Sequence, residues 1–100
     1  MSIIRVTVRT FQSVEHANMF VVMSEKVAND SNNTNLKINV KVIQNVDQKN
    51  QVTSIWEYEN EKHMKKLRNY LYQFNSIPNS LSSKEIAYEG VVKVSANNKD

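Results

Sequence analysis

The sequence contains no cysteine, one glycine, one proline and one tryptophan in 100 residues. Without cysteine there are no disulfides, no thiolate metal ligands and no cysteine nucleophile. With so little glycine and proline, few tight turns are available, so most of the chain must lie in regular elements. No apolar run approaches the ~20 residues that span a bilayer. Met1-Ser2-Ile3-Ile4-Arg5 alternates like a strand and lacks the plan of a signal peptide, so a cytoplasmic location is expected. The net charge of +3 is far from the dense positive field of a dedicated nucleic-acid binder. Also missing are a phosphate-cradling glycine loop, a glycine-flanked serine and a cluster of Asp, Glu and His at ligand spacing.

What is present is ordinary globular composition, 40% apolar and 23% charged. Residues 3–11 alternate with period two. Ile4, Val6 and Val8 share one side and Arg5, Thr7 and Arg9 the other, which reads as a half-buried strand. Ser13 offers an N-cap and Glu15 a first-turn negative charge. Val14, Ala17, Phe20, Val21, Val27 and Ala28 then follow at helical spacing to about Asp30. The run from Asp30 to Asn35 reads as a loop. A second strand is expected from Leu36 to Val46, with Leu36, Ile38, Val40 and Val42 on one face. Asp47 to Asn50 has hairpin length. The third strand, Gln51 to Glu59, carries Val52, Ser54, Trp56 and Tyr58 on one face. Asn60 caps a second helix whose apolar stripe is Met64, Leu67, Leu71 and Phe74, while Lys62, Lys65, Lys66 and Arg68 make a solubilising face. Pro78 marks the break beyond it. The last strand, Ile86 to Ser95, has Ile86, Tyr88, Val92 and Val94 on one face.

This order, β-α-β-β-α-β, is that of an α+β ferredoxin-like split β-α-β fold. Right-handed crossovers give a four-stranded antiparallel sheet of strand order 4-1-3-2 with both helices on one side. One domain is expected over residues 1–96, with a frayed tail at 97–100. The most apolar face of each strand is assigned to the side under the helices. Ile4, Val6 and Val8 are thereby expected inward. Arg5, Arg9, Lys37, Lys41 and Lys93, with Glu57, Glu59 and Glu89, are expected on the opposite face.

The stretch Ile55-Trp56-Glu57-Tyr58-Glu59-Asn60-Glu61-Lys62-His63-Met64 resembles a recurrent segment of the dimeric α+β barrel proteins, in their antibiotic-biosynthesis-monooxygenase-like branch. There a strand ends in an aromatic and an acidic residue and passes straight into a capped helix with an apolar anchor. Tyr58 stands at the aromatic position and Met64 at the anchor. The resemblance implies a homodimer whose outer sheet faces meet to close a barrel. It also implies a small apolar ligand between sheet and helices. Its members include cofactor-free monooxygenases of aromatic polyketides, haem-degrading enzymes and isomerases.

On that basis the candidate ligand-binding residues are Ser54, Trp56, Tyr58 and Tyr88, expected together on the helix side. The competing reading makes the three aromatics plain core, and the protein a non-enzymatic dimeric module. Catalytic residues are not assigned, and whether the chain is an enzyme stays open. His16 and His63 fall in the first turns of helices that start at opposite edges of the sheet, which argues against a shared metal site. No metal and no cofactor are expected. Haem-degrading relatives need a histidine further along the second helix and an asparagine on the first strand, and neither stands here. An RNA-binding sheet of this topology shows aromatics on its central strands, which Arg5, Thr7 and Arg9 do not supply.

Overall fold

The computed structural model describes residues 2–30, 37–71, 81 and 83–97. The elements are β1 (Ile3–Phe11), α1 (Val14–Asp30), β2 (Asn39–Gln44), β3 (Gln51–Tyr58), α2 (Glu61–Leu71) and β4 (Ser83–Val91). Their spatial order is β2-β3-β1-β4, every neighbouring pair antiparallel. The expected fold class and strand order are therefore those observed. The loop at 31–36, Phe74, Pro78 and the terminal residues 98–100 lie outside the described residues. No helix among the described residues is long and apolar enough to cross a membrane.

Local chemistry sets the boundaries. The Ser13 hydroxyl accepts a hydrogen bond from the His16 backbone N–H at 3.1 Å and so caps α1. The Asn60 side-chain oxygen does the same for α2, accepting from the His63 N–H at 2.8 Å. Between β2 and β3, Asn45 Oδ1 accepts from the N–H groups of Asp47 and Gln48 at 2.9 and 3.0 Å. That Asx-type turn spends the polar connection on its own backbone and ends β2 at Gln44, shorter than the expected run to Val46. β4 starts at Ser83 and ends at Val91, several residues earlier than its apolar pattern suggests, because its register is set by pairing with β1: Phe11 faces Ser83 and Ile3 faces Val91.

The register also decides the faces. Directly opposite residues of an antiparallel pair project to the same side. Val52, Ser54 and Tyr58 of β3 are buried beneath the helices, as expected. Their partners on β1 are Arg9, Thr7 and Ile3, and Trp56 faces Arg5. The helix-covered side of β1 therefore carries Ile3, Arg5, Thr7, Arg9 and Phe11, the reverse of the expected assignment. Ile4, Val6 and Val8 point away from the helices, with Ile55 of β3 and Ile86 and Tyr88 of β4. The expectation failed for a physical reason. Alternation fixes which residues of one strand share a side, but which side meets the helices depends on the register between strands, and the pairing of Thr7 with Ser54 and Ile3 with Tyr58 sets it here.

Two hydrophobic clusters hold the helices to the sheet. Phe11, Ala17, Phe20, Val52 and Leu81 form one, with Val21, Met23 and Val42 against it. The Phe11 and Phe20 rings meet at 5.3 Å between centroids, tilted by 40°. Tyr58, Met64 and Leu67 form the other, with Ile3, Ile38, Trp56 and Tyr70 packed against it. Complete burial of a side chain such as Leu67 or Val52 contributes about 1.5–3 kcal/mol. The helices rest chiefly on β1, β2 and β3, whereas β4 is exposed on both faces over most of its length.

Candidate functional site

The two clusters sit at opposite ends of the helix-covered face, and polar side chains occupy the middle. Ser54, Thr7 and Ala87 lie side by side across β3, β1 and β4. Ser54 and Thr7 are each 3% exposed, and Ala87 is open to solvent. A row of short side chains thus runs from beneath the helices out to the uncovered edge strand. Phe20 and Phe11 stand on one side of it, and Trp56 and Tyr58 on the other.

Arg9 flanks the row on the phenylalanine side. Its guanidinium carbon lies 4.8 Å from the centroid of the Phe20 ring, a cation–π contact. Nη1 donates to Ser54 Oγ at a long 3.4 Å. Among the described residues Nε is buried without a hydrogen-bond partner, and the nearest carboxylate oxygen, Glu85 Oε2, stands 3.7 Å away. Burial lowers the Arg9 pKa from its ordinary value, with Arg5 adding to the effect and Glu85 opposing it. On the other side Arg5 Nη1 donates to Glu89 Oε1 at 2.8 Å, and Arg68 of α2 bonds the same oxygen. Arg68 is thus turned in toward β4, although its neighbours Lys62, Lys65 and Lys66 belong to a shallow polar depression on the outer side of α2.

Of the candidate residues, Ser54, Trp56 and Tyr58 come together on one face of β3. Trp56 is half-buried, between Arg5 and Val40 on the neighbouring strands. Tyr58 is 2% exposed. Its phenol pKa is raised, chiefly by burial, while Arg68 and Arg5 pull it back. It therefore remains a neutral phenol near neutral pH, with a hydroxyl that can donate a hydrogen bond. Tyr88 does not join them. It stands opposite Val6 on the face away from the helices, 64% exposed, so its expected place on the helix side is corrected.

Sequence reasoning missed Thr7, Arg9, Arg5, Glu85 and Glu89 as members of this site by placing Arg5, Arg9 and Glu89 on the opposite face. A usable signal was there: charged and polar residues at alternate positions of a central strand are costly unless they are paired or functional. The same correction takes Arg5 and Arg9 off the face away from the helices, which carries Ile4, Val6, Val8, Ile55, Ile86 and Tyr88.

The histidines stay apart in role. His63 Nδ1 accepts from the Glu59 backbone N–H at 2.9 Å, which leaves Nε2 to donate to the Lys37 carbonyl at 2.8 Å. The ring thereby ties the end of β3 and the approach to β2 to the start of α2, with its edge against Tyr58. His16 Nδ1 is buried without a hydrogen-bond partner among the described residues. Among the described residues no group of three or more His, Cys, Asp or Glu could hold a metal ion.

No family model and no curated protein matches the sequence. Solved structures do match its fold. A dimeric ferredoxin-like protein from an uncultured marine organism aligns with a TM-score of 0.76 at 13% identity, over 98% of this chain and 93% of that one. The cofactor-independent oxygenase SnoaB from Streptomyces nogalater aligns at 0.71 and 8% identity, over 97% and 98%. A candidate antibiotic biosynthesis monooxygenase from Deinococcus radiodurans aligns at 0.56 and 17% identity, over 98% and 100%. Together with the topology, these matches show that the chain has the ferredoxin-like fold that these three proteins share.

Proposed function

We propose that the protein works as a homodimer, holds a small aromatic ligand between sheet and helices, and oxygenates that ligand without a cofactor. The observation that carries the ligand reading is the row Ser54, Thr7 and Ala87 in the middle of a face otherwise walled by aromatic rings. A face built for packing alone fills its centre with large apolar side chains. Short polar side chains there give a flat ring lodged between Trp56 and Phe20 its polar contacts, the Ser54 and Thr7 hydroxyls, and since both are 3% exposed the covering helices must part to admit it. The dimer is supported by the opposite face, where Ile43, Ile86 and Tyr88 are 52, 73 and 64% exposed beside Ile4, Val6, Val8 and Ile55. A contiguous apolar sheet face of this kind marks an interaction surface.

The reaction class is supported by the fold shared with SnoaB, and fold-level likeness alone supports it. In such a reaction a phenol and O2 become a quinone and water. A titration of dihydroxynaphthalenes against the fluorescence of Trp56, run beside an oxygen electrode, tests both parts. Saturable quenching with protein-dependent O2 uptake is the expected result, and Ser54→Leu, which fills the row, should remove both. Quenching without uptake would leave a binding protein, a non-enzymatic dimeric module. No saturable quenching by any ring in the series would refute the ligand site.

A further inference from the structure

The polar cluster under the helices is not balanced in charge. Three guanidinium groups, Arg5, Arg9 and Arg68, face two carboxylates, Glu85 and Glu89. Glu89 serves both Arg5 and Arg68 through one oxygen. Arg9 is left with the weaker partner. Glu85 stands beyond hydrogen-bond reach of Nε, and its side chain is 47% exposed on the edge strand, against 19% for Arg9. A guanidinium has five donors in a planar fork shaped for a carboxylate. Here its one hydrogen bond among the described residues is the long contact to Ser54. A desolvated cation so poorly supplied is costly unless another anion completes it. The guanidinium carbon lies 4.8 Å from the Phe20 ring centroid, and the short side chains of Ser54, Thr7 and Ala87 lie beside it.

We propose that Arg9 anchors the carboxylate of a planar aromatic acid, and that Glu85 is a resident counter-ion which the ligand displaces. The inference rests on reading the helix-side row as the ligand site, and it adds the charge of the ligand and the residue that reads it. The carboxylate takes the paired donors of Arg9 in two charge-assisted hydrogen bonds while the ring lies across the row toward Trp56. Glu85 swings out to water, which its exposed position on β4 permits. In the empty protein Glu85 competes for the same cation, so its removal should strengthen binding rather than weaken it. A residue that only stabilised the fold would not behave in that way.

The test is calorimetric titration of the protein with 1-naphthoate and with its uncharged isostere 1-naphthamide. In the wild type the acid should bind at least tenfold tighter. Arg9→Gln should weaken the acid about ten- to a hundredfold and leave the amide nearly unchanged, as loss of a charge-assisted contact requires. Glu85→Gln should tighten the acid about two- to fivefold, the range of a partly exposed ion pair, without altering the amide. The wild-type comparison and Glu85→Gln decide the matter even if Arg9→Gln does not fold. Equal binding of acid and amide, or weaker acid binding in Glu85→Gln, would overturn the anion anchor and leave the aromatic site standing. Failure of both probes to bind would overturn the site and the anchor together.

Discussion

Replacing Ile86 by aspartate should break the proposed dimer while leaving the fold of the protomer in place. Ile86 lies opposite Val8 on the face away from the helices and is 73% exposed in the protomer. Full burial of an isoleucine is worth about 1.5–3 kcal/mol, so covering the exposed part is worth about 1–2 kcal/mol. A two-fold interface carries the change twice, once from each protomer. Losing both contributions costs the dimer about 2–4 kcal/mol before the burial of two aspartates is added. Since about 1.4 kcal/mol is a factor of ten, Kd should rise by about 30- to 1000-fold. In the protomer the position faces water, so stability should move little. Sedimentation velocity from about 1 to 100 μM reads the outcome, with circular dichroism as the control on folding. The wild type should sediment at twice the 11.6 kDa chain mass and Ile86→Asp at the chain mass, with the same helix and strand signal. A variant that remains dimeric, or a wild type that is a clean monomer at 100 μM, would refute the assignment of this face.

Three further outcomes follow from the helix side and its supports. Trp56 is half-buried beside the short-side-chain row, so Trp56→Ala should cost less than the ~3–5 kcal/mol of an aromatic deleted from a closed core. A chemical denaturation loss within that core range would make Trp56 plain packing. Tyr58 has its pKa raised above 10.0 by burial. The unfolded chain then releases this proton first, so stability is intact below about pH 10 and falls as pH rises through the folded-state pKa. Spectrophotometric titration should show one of the four tyrosines ionising last and in step with unfolding, and four equivalent tyrosines would contradict the placement. His63→Ala removes one acceptor and one donor that tie Glu59 and Lys37 together. It should lower stability by about 1 kcal/mol, about 4–8 °C in Tm for a domain of this size. An unchanged melting curve would show the ring to be dispensable.

The elements were legible because their signals are local. Ser13 and Asn60 fall where a cap must fall, and β3 alternates cleanly from Val52 to Tyr58. The strand order followed from short connections and the handedness of crossovers. What the sequence could not decide was which side of β1 the helices cover. Ile4, Val6 and Val8 form the stronger apolar set, and only the pairing of Arg5 with Trp56 and Thr7 with Ser54 shows that they point away. Parity fixes which residues share a face of one strand, but the relation between strands needs register, which the sequence specifies only through long-range pairing. That one inversion moved Tyr88 off the site and brought Arg9 onto it. Within β3 the reading of Ser54, Trp56 and Tyr58 as neighbours needed no register and survived.

The central claim divides the sheet into a ligand-holding side under the helices and a partner-facing side opposite. Backbone amide shifts on titration with 1-naphthoate test that division most directly. The largest changes should fall on Thr7, Arg9, Ser54, Trp56 and Ala87, with Val6, Ile55, Ile86 and Tyr88 little moved. Changes centred on the second set, or no saturable change at all, would contradict it.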